Sequence, residues 1–330
     1  MKQFYRTKMK EIIAPVDKDL IKSELTVDRF LRSTNKANNE IYIVNAHNSP
    51  HTMREIGCLR EIAFRNAGGG TGMEIDIDTF DTMEEPCQQL IVWNPDADEI
   101  IGGYRFILGE HVKIDDNGQP ILATAHLFHF SDQFIKEYLP YTLELGRSFV
   151  RIEYQSSQAG AKSLFALDNL WDGLGALSIE YPQIKYYFGK VTMYPSFGTQ
   201  GRDIILYFLQ KHFNDPENLV TPINPIKMES DIQKLDSLLS MFDIKDNYKI
   251  LNQEVRSLGQ NIPPLVNAYM NLSSTMKVFG TAVNDEFGDV EETGILVTVA
   301  DIYQEKRDRH IETYITELQS DFKFQRFGIS

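Results

Sequence analysis

Apolar positions along the chain change period several times, and each change predicts an element. Over residues 18–33, Leu20, Ile21, Leu25, Val27, Phe30 and Leu31 form a broad stripe that predicts an amphipathic helix. Residues 41–44 (Ile-Tyr-Ile-Val) predict a short strand. Ser49-Pro50 then offers an N-cap before a proline at the first helical position, and the helix it opens turns Met53, Ile56, Leu59, Ile62, Ala63 and Phe64 inward. Gly68-Gly-Gly70 ends it. Residues 89–94 and 99–107 are strands joined by Pro95-Asp-Ala-Asp98, the pattern of an antiparallel hairpin.

A strand is predicted over 142–154, followed by a small-residue loop at 156–161. In the next helix Leu164, Leu167, Trp171, Leu174, Leu177 and Tyr181 recur at helical spacing. A strand over 184–194 and a helix over 202–213 come next. Between 214 and 252 the pattern weakens into Pro- and Asp-rich sequence, with one amphipathic stretch at 232–242, and reads as an insertion. A helix opened by Pro263-Pro264, strands over 276–283 and 293–299, and a charged helix from 301 towards 322 complete the chain. Strands paired locally and then alternating with helices indicate a mixed sheet in a single α/β domain. No internal repeat is visible.

Composition narrows the function classes. The 330 residues are 42% hydrophobic and 24% charged, ordinary for a globular protein. No run approaches the ~18 apolar residues of a membrane span, and the basic N-terminus lacks the apolar core of a signal peptide. A cytoplasmic location is the expectation. A net charge of −14 argues against nucleic-acid binding. Arg147, Arg151, Lys162, Lys185 and Lys190 nevertheless punctuate the middle third, and a local basic patch can capture an anionic ligand on an acidic protein.

Three segments are candidates for chemistry. In Glu74-Ile-Asp76-Ile-Asp78-Thr-Phe80-Asp81, extended backbone would put three carboxylates on one face, where a cation, basic side chains or solvent must compensate them. In Glu144-Leu-Gly-Arg147-Ser148-Phe149-Val150, regular alternation points Glu144 and Arg147 apart unless a bulge at Gly146 intervenes. The 156–161 loop opens a helix near Lys162, and small residues there leave backbone N–H groups free for phosphate. Cys58 and Cys87 show no CxxC spacing, and His126 and His129 have no third ligand at a metal spacing, so no metal is expected. There is no nucleophile elbow, Walker loop or complete dinucleotide fingerprint.

The order of Leu59-Arg60-(x4)-Arg65, Asp76-x-Asp78-x-Phe80-Asp81, Leu90-Ile-Val-Trp93, Ile101-Gly102-x-Tyr104-Arg105 and Glu144-Leu-Gly-Arg147-Ser-x-Val150 resembles the ornithine-lipid type N-acyltransferases. This is a hemolysin-labelled branch of the GNAT superfamily, related to the acyl-homoserine lactone synthases. Leu170-Trp171-x-Gly173-Leu174, Ile262-Pro-Pro-Leu265-x3-Tyr269 and Asp285-x-Phe287 extend the likeness, which spans roughly 56–299. It implies a GNAT-like α/β (α+β) fold with a mixed, mostly antiparallel central sheet flanked by helices. An N-terminal helical extension over 1–45 would precede the acyltransferase domain at 46–330.

The implied reaction moves a long fatty acyl chain from acyl carrier protein to the amine of glycine or ornithine, giving a lyso-lipoamino acid. Glu144, Arg147, Asp78 and Asp81 would be catalytic, with Glu144 orienting or deprotonating the amine. Arg105, Ser148, Phe149, Val150, Gly160, Ala161 and Lys162 would bind the acyl donor. Arg151, Lys185 and Lys190 would dock the carrier protein. No bound cofactor is implied. The co-substrate is a 4'-phosphopantetheine thioester on acyl carrier protein, or acyl-CoA, and the loop's lack of a clean Gln/Arg-x-x-Gly-x-Gly/Ala signature favours the carrier protein. Peripheral membrane contact fits such a product. A lactone-type signal synthase and a non-catalytic acyl-binding protein are the alternatives.

Overall fold

The computed structural model describes residues 9–155 and 161–327, with positions 161–164 and 321–327 described by their backbone alone. The strands are β1 (Phe30–Ser33), β2 (Glu40–Val44), β3 (Gln88–Asn94), β4 (Glu99–Leu108), β5 (Phe128–Phe130), β6 (Thr142–Val150), β7 (Tyr186–Met193), β8 (Val220–Pro222), β9 (Lys277–Asn284) and β10 (Val290–Thr298). The helices are α1 (Lys18–Glu24), α2 (Pro50–Ala67), α3 (Thr79–Thr82), α4 (Ala161–Glu180), α5 (Thr199–Phe213), α6 (Ile232–Leu238), α7 (Ile244–Ser257), α8 (Pro264–Met270), α9 (Gln304–Arg307) and α10 (Thr313–Phe327). The mixed α/β class and the predominance of antiparallel strands flanked by helices agree with expectation. Among the described residues no helix is long and apolar enough to cross a membrane.

The chain divides into two compact units. One comprises the described residues within Met1–Ile107, Leu145–Ile184 and Gln304–Ser330. Here β1, β2, β3 and β4 pair antiparallel in that order, and β6 lies beside β4. The β4–β6 approach is close: a Cβ at Gly102 would stand 2.5 Å from the Phe149 carbonyl oxygen, so the position admits only glycine. α2 buries Met53, Ile56 and Phe64, and its C-terminal Gly68 takes the left-handed conformation (φ 99°). α4 packs on β1 and β3. The other unit comprises Leu108–Glu144 and Lys185–Tyr303. It holds antiparallel β7–β10–β9, the small β5–β8 pair, and a cluster of Phe128, Phe130, Phe134, Phe188 and Phe279 in its core.

Three expectations need correction. The helix expected over 18–33 ends at Glu24, and Phe30–Ser33 instead pairs with β2 as a strand. β-Branched Thr26 and Val27 interrupt the helical run, and the backbone hydrogen bonds that β2 offers outweigh the apolar spacing. The 214–252 stretch contains β8 and most of α7, a helix capped by Asp243 that buries Asn247, Leu251 and Val255 at intervals of four. Its polar composition hid a narrow buried stripe. The charged helix begins at Gln304 rather than 301 and passes through a π-turn at Asp308–Glu312.

Ser49 does precede α2, but its hydroxyl makes no capping bond. The Glu24 carboxylate, from the end of α1, does that work. It accepts from the backbone N–H groups of His51 (3.0 Å) and Thr52 (2.7 Å) and from the Thr52 hydroxyl (2.8 Å). A carboxylate at a helix N-terminus satisfies otherwise orphaned donors and opposes the helix dipole. Replacing Glu24 with alanine should therefore lower stability by about 1–3 kcal/mol. Urea unfolding checks this, and an unchanged midpoint would show that α2 is capped without it.

Candidate active site

Three arginines and three aspartates come together in the first unit. α2 supplies Arg60, which stands four residues from both Ile56 and Phe64 and so on the helix's buried stripe. The segment after the glycines supplies Asp76, Asp78 and Asp81. Asp78 N-caps α3, and it and Asp81 bond reciprocally to each other's backbone N–H in a capping box. The turn begins only after Asp78, whose backbone is extended, and Asp76 and Asp78 both approach Arg147. β4 supplies Arg105 and β6 supplies Arg147.

Their pairing is dense. Arg105 Nη1 reaches both Asp78 carboxylate oxygens at 2.7 Å and Asp81 at 3.3 Å. Arg60 Nη1 lies 3.3 Å from Asp81 Oδ2, and its other terminal nitrogen donates to Gln89, whose amide donates back to Asp81 at 2.9 Å. Arg147 approaches Asp76 (3.1 Å) and Asp78 (3.4 Å). The three charges of each sign balance, so arginines supply the compensation that a calcium ion would otherwise provide. The Arg60 and Asp81 side chains are fully buried, whereas Asp78 is 29% exposed and Arg147 16%.

Arg147 reaches this cluster through a break in β6. Its φ is 48°, a left-handed conformation costly for a residue with a Cβ. The break falls immediately after Gly146, where an irregularity was the condition for redirecting the side chain. Glu144, three residues earlier on the same strand, belongs to the other unit and is 6% exposed. It accepts a 2.7 Å hydrogen bond from Thr124 Oγ1.

Burial and charge act in opposition across the cluster. Burial raises Asp81's pKa, but the Arg60 and Arg105 guanidiniums overcome it and hold the carboxyl at about 2. At Asp76 burial prevails over Arg147, Arg60 and Arg105, and the proton is held more tightly than usual. Neither Asp76 carboxylate oxygen makes a hydrogen bond among the described residues. Burial also lowers Arg60's affinity for its proton, while Asp81 and Asp78 raise that of Arg105 against its own burial.

The remaining predicted site residues scatter by role. Phe149 is buried, and Ser148 and Val150 are half-buried. Arg151 pairs with Glu99 and Glu153. Lys185 stands 4.0 Å over the Tyr141 ring. Lys190 is ion-paired with the buried carboxylate of Glu292, which also accepts from Asn284 and Thr192, giving this lysine an internal charge partner. Gly160 lies outside the described residues, as do the side chains of Ala161 and Lys162. Cys58 is buried, donates to the Ile13 carbonyl, and is pushed up to about 11, mainly by burial, which disfavours the thiolate.

Arg60, Gln89 and Thr124 were not among the predicted site residues. An arginine set on an apolar helical stripe is a sequence signal for the first. Gln89 and Thr124 carry none.

Comparisons with known proteins place the chain among acyltransferases. The acetyltransferase (GNAT) domain family matches residues 59–164. A glycine N(alpha)-acyltransferase of Bacteroides thetaiotaomicron is 66% identical over 307 residues, covering 93% of this chain and 91% of the relative. A glycine N(alpha)-acyltransferase of Phocaeicola vulgatus is 61% identical over 309 residues, covering 94% and 95%. Among solved structures, FeeM, an N-acyl amino acid synthase from uncultured soil microbes, superposes with a TM-score of 0.40 at 12% identity, covering 84% of this chain and 98% of that one.

Asp81 offers a test of the charge cluster. Replacing it with asparagine leaves Arg60 and Arg105 short of a buried counter-charge and should cost about 3–5 kcal/mol. Because folding depresses this carboxyl from 3.8 to about 2, its contribution is complete above pH ~4 and fades as pH falls towards 2. The stability gap between wild type and Asp81→Asn, followed by urea unfolding, should be constant from pH 7 to about 4 and narrow below. A gap that stayed constant down to pH 2.5 would contradict the pairing.

Proposed function

We propose, from the premise that the chain belongs to the glycine N(alpha)-acyltransferase family and is an N-acyltransferase, that it moves a long fatty acyl group from a carrier-protein thioester to the amine of glycine. The non-catalytic alternative falls away with that membership. Of the two acceptors implied by sequence resemblance, the names of the relatives favour glycine over ornithine, and nothing observed favours lactone synthesis.

One observation carries the mechanistic part of the reading. A single strand, β6, bears a buried carboxylate, Glu144, and three residues later an arginine committed to two aspartates. A buried, hydrogen-bonded carboxylate suits a general base. In the proposed reaction Glu144 accepts a proton from the glycine ammonium, directly or through water. The freed amine attacks the thioester carbonyl, the C–N bond forms as the C–S bond breaks, and the departing thiolate takes up a proton. The net reaction releases one proton to solvent.

Asp76 and Asp78, the latter fixed in turn by Arg105, hold Arg147 in its costly backbone conformation, and Arg147 keeps the β6 backbone irregular beside Ser148–Val150. That irregularity frees backbone groups to polarise the thioester and line the pantetheine arm. Residues 156–162 receive the phosphate, a single one on carrier protein. Arg151, Lys185 and Lys190 are the proposed docking cations and act locally, since at physiological salt charges screen within about 8 Å. The product, an N-acyl glycine, is itself a lipid, and a transient membrane contact would serve its release.

Purified protein given palmitoyl-acyl carrier protein or palmitoyl-CoA, with glycine, ornithine or serine, should yield N-palmitoyl glycine by mass spectrometry, faster from the carrier protein. Failure of acyl transfer from both donors would overturn the reading. Glu144→Gln should lower kcat by about 100-fold without changing the melting temperature. A wild-type rate in that variant removes Glu144 as the base.

A further inference from the structure

Glu144 receives its hydrogen bond from a residue placed with unusual care for a connecting segment. Thr124 lies in the turn over 123–127 that leads into β5, and its own carbonyl accepts from the backbone N–H groups of Leu127 (3.0 Å) and Phe128 (3.1 Å). Leu122, Leu127 and Phe128 anchor the segment on both sides, each at most 4% exposed. His126, two residues on, ties the segment to β9 through Asn284 Oδ1 (3.5 Å), and Asn284 in turn donates to Glu292 (3.1 Å). The threonine backbone is therefore held independently of its hydroxyl.

The hydroxyl itself has one proton to give. In the 2.7 Å contact with Glu144 Oε1 Thr124 donates, and the bond is charge-assisted whenever that carboxylate is ionised. Both side chains are buried, at 2% and 6% exposure, where such a bond is strong and its loss is costly. Glutamate has three rotatable side-chain bonds, and a base that must meet an incoming ammonium in one orientation gains from having one oxygen fixed.

We propose that Thr124 is a positioning residue for acyl transfer, holding the Glu144 carboxylate in the orientation from which it takes the proton of the acceptor amine. Thr124 keeps its own proton throughout and touches no reacting atom. The inference rests on the reading of Glu144 as the base.

The test measures kcat, and KM for glycine and for palmitoyl-acyl carrier protein, in wild type, Thr124→Val, Thr124→Ser, Glu144→Gln and the Thr124→Val/Glu144→Gln double variant, with thermal melting of each. Thr124→Val, close in shape but without the donor, should lower kcat about tenfold with both KM values near wild type. Thr124→Ser should recover most of the rate. In the Glu144→Gln background Thr124→Val should have no further effect, because the group it positions is gone. A wild-type kcat in Thr124→Val, a full tenfold loss persisting in the double variant, or a folded Thr124→Ser as slow as Thr124→Val would each overturn the proposal. If Thr124→Val does not fold, Thr124→Ala removes the hydroxyl without added bulk and is read against the same outcomes. A Glu144→Gln enzyme at wild-type rate sinks the base assignment and this inference together. A slow Glu144→Gln beside a fast Thr124→Val sinks only the positioning role.

Discussion

Burying a guanidinium without water is the constraint around which the first unit is arranged. Arg60 sits on the apolar stripe of α2 with its side chain fully enclosed, and an unpaired charge there would not be tolerated. Asp81 and Gln89 answer it, and Asp81 is then shared with Arg105, which needs Asp78, which draws Arg147. The partners come from five elements: α2, the α3 turn (Asp78 and Asp81), β3, β4 and β6. The charge network therefore fixes the register of helix, turn and strands to one another, and hydrophobic packing alone would specify that less sharply.

The second unit meets a similar demand around single buried carboxylates. Glu144 takes a threonine hydroxyl, and Glu292 takes a lysine, an asparagine and a threonine. One network shares several arginines among several aspartates and is largely enclosed. The other gives single carboxylates hydroxyl, amide or lysine donors. The difference suits a division of labour in which arginines shape the backbone and a carboxylate is left to handle a proton.

Much of the fold was legible because its signals were local. The β3–β4 hairpin announced itself through two apolar runs and a Pro-Asp-Ala-Asp turn, and α2 through a proline start and a glycine stop. Where a distant partner decided the outcome, reading failed. β1 has helical apolar spacing and becomes a strand because β2 is there to pair with it. Ser49 has the chemistry of a cap, yet Glu24, 27 and 28 residues before the amides it binds, takes the role. In the site, Asp78, Asp81, Arg105 and Arg147 could be named one by one, since each sits in a recognisable motif. Period-two alternation does not give the pairing of Arg147, because the backbone at that residue leaves the extended region. Thr124 lies 20 residues from Glu144 in a turn without distinguishing composition.

The left-handed backbone at Arg147 has an evolutionary corollary. Glycine or asparagine would relieve the backbone there, but neither carries the planar cation that bridges Asp76 and Asp78. Lysine would keep the charge, retain the conformational cost and lose the fork. None of these replacements both relieves the backbone and keeps the fork, so drift at this position meets a barrier on each side. A lineage that abandoned the arginine would have to rebuild the aspartates and the strand together.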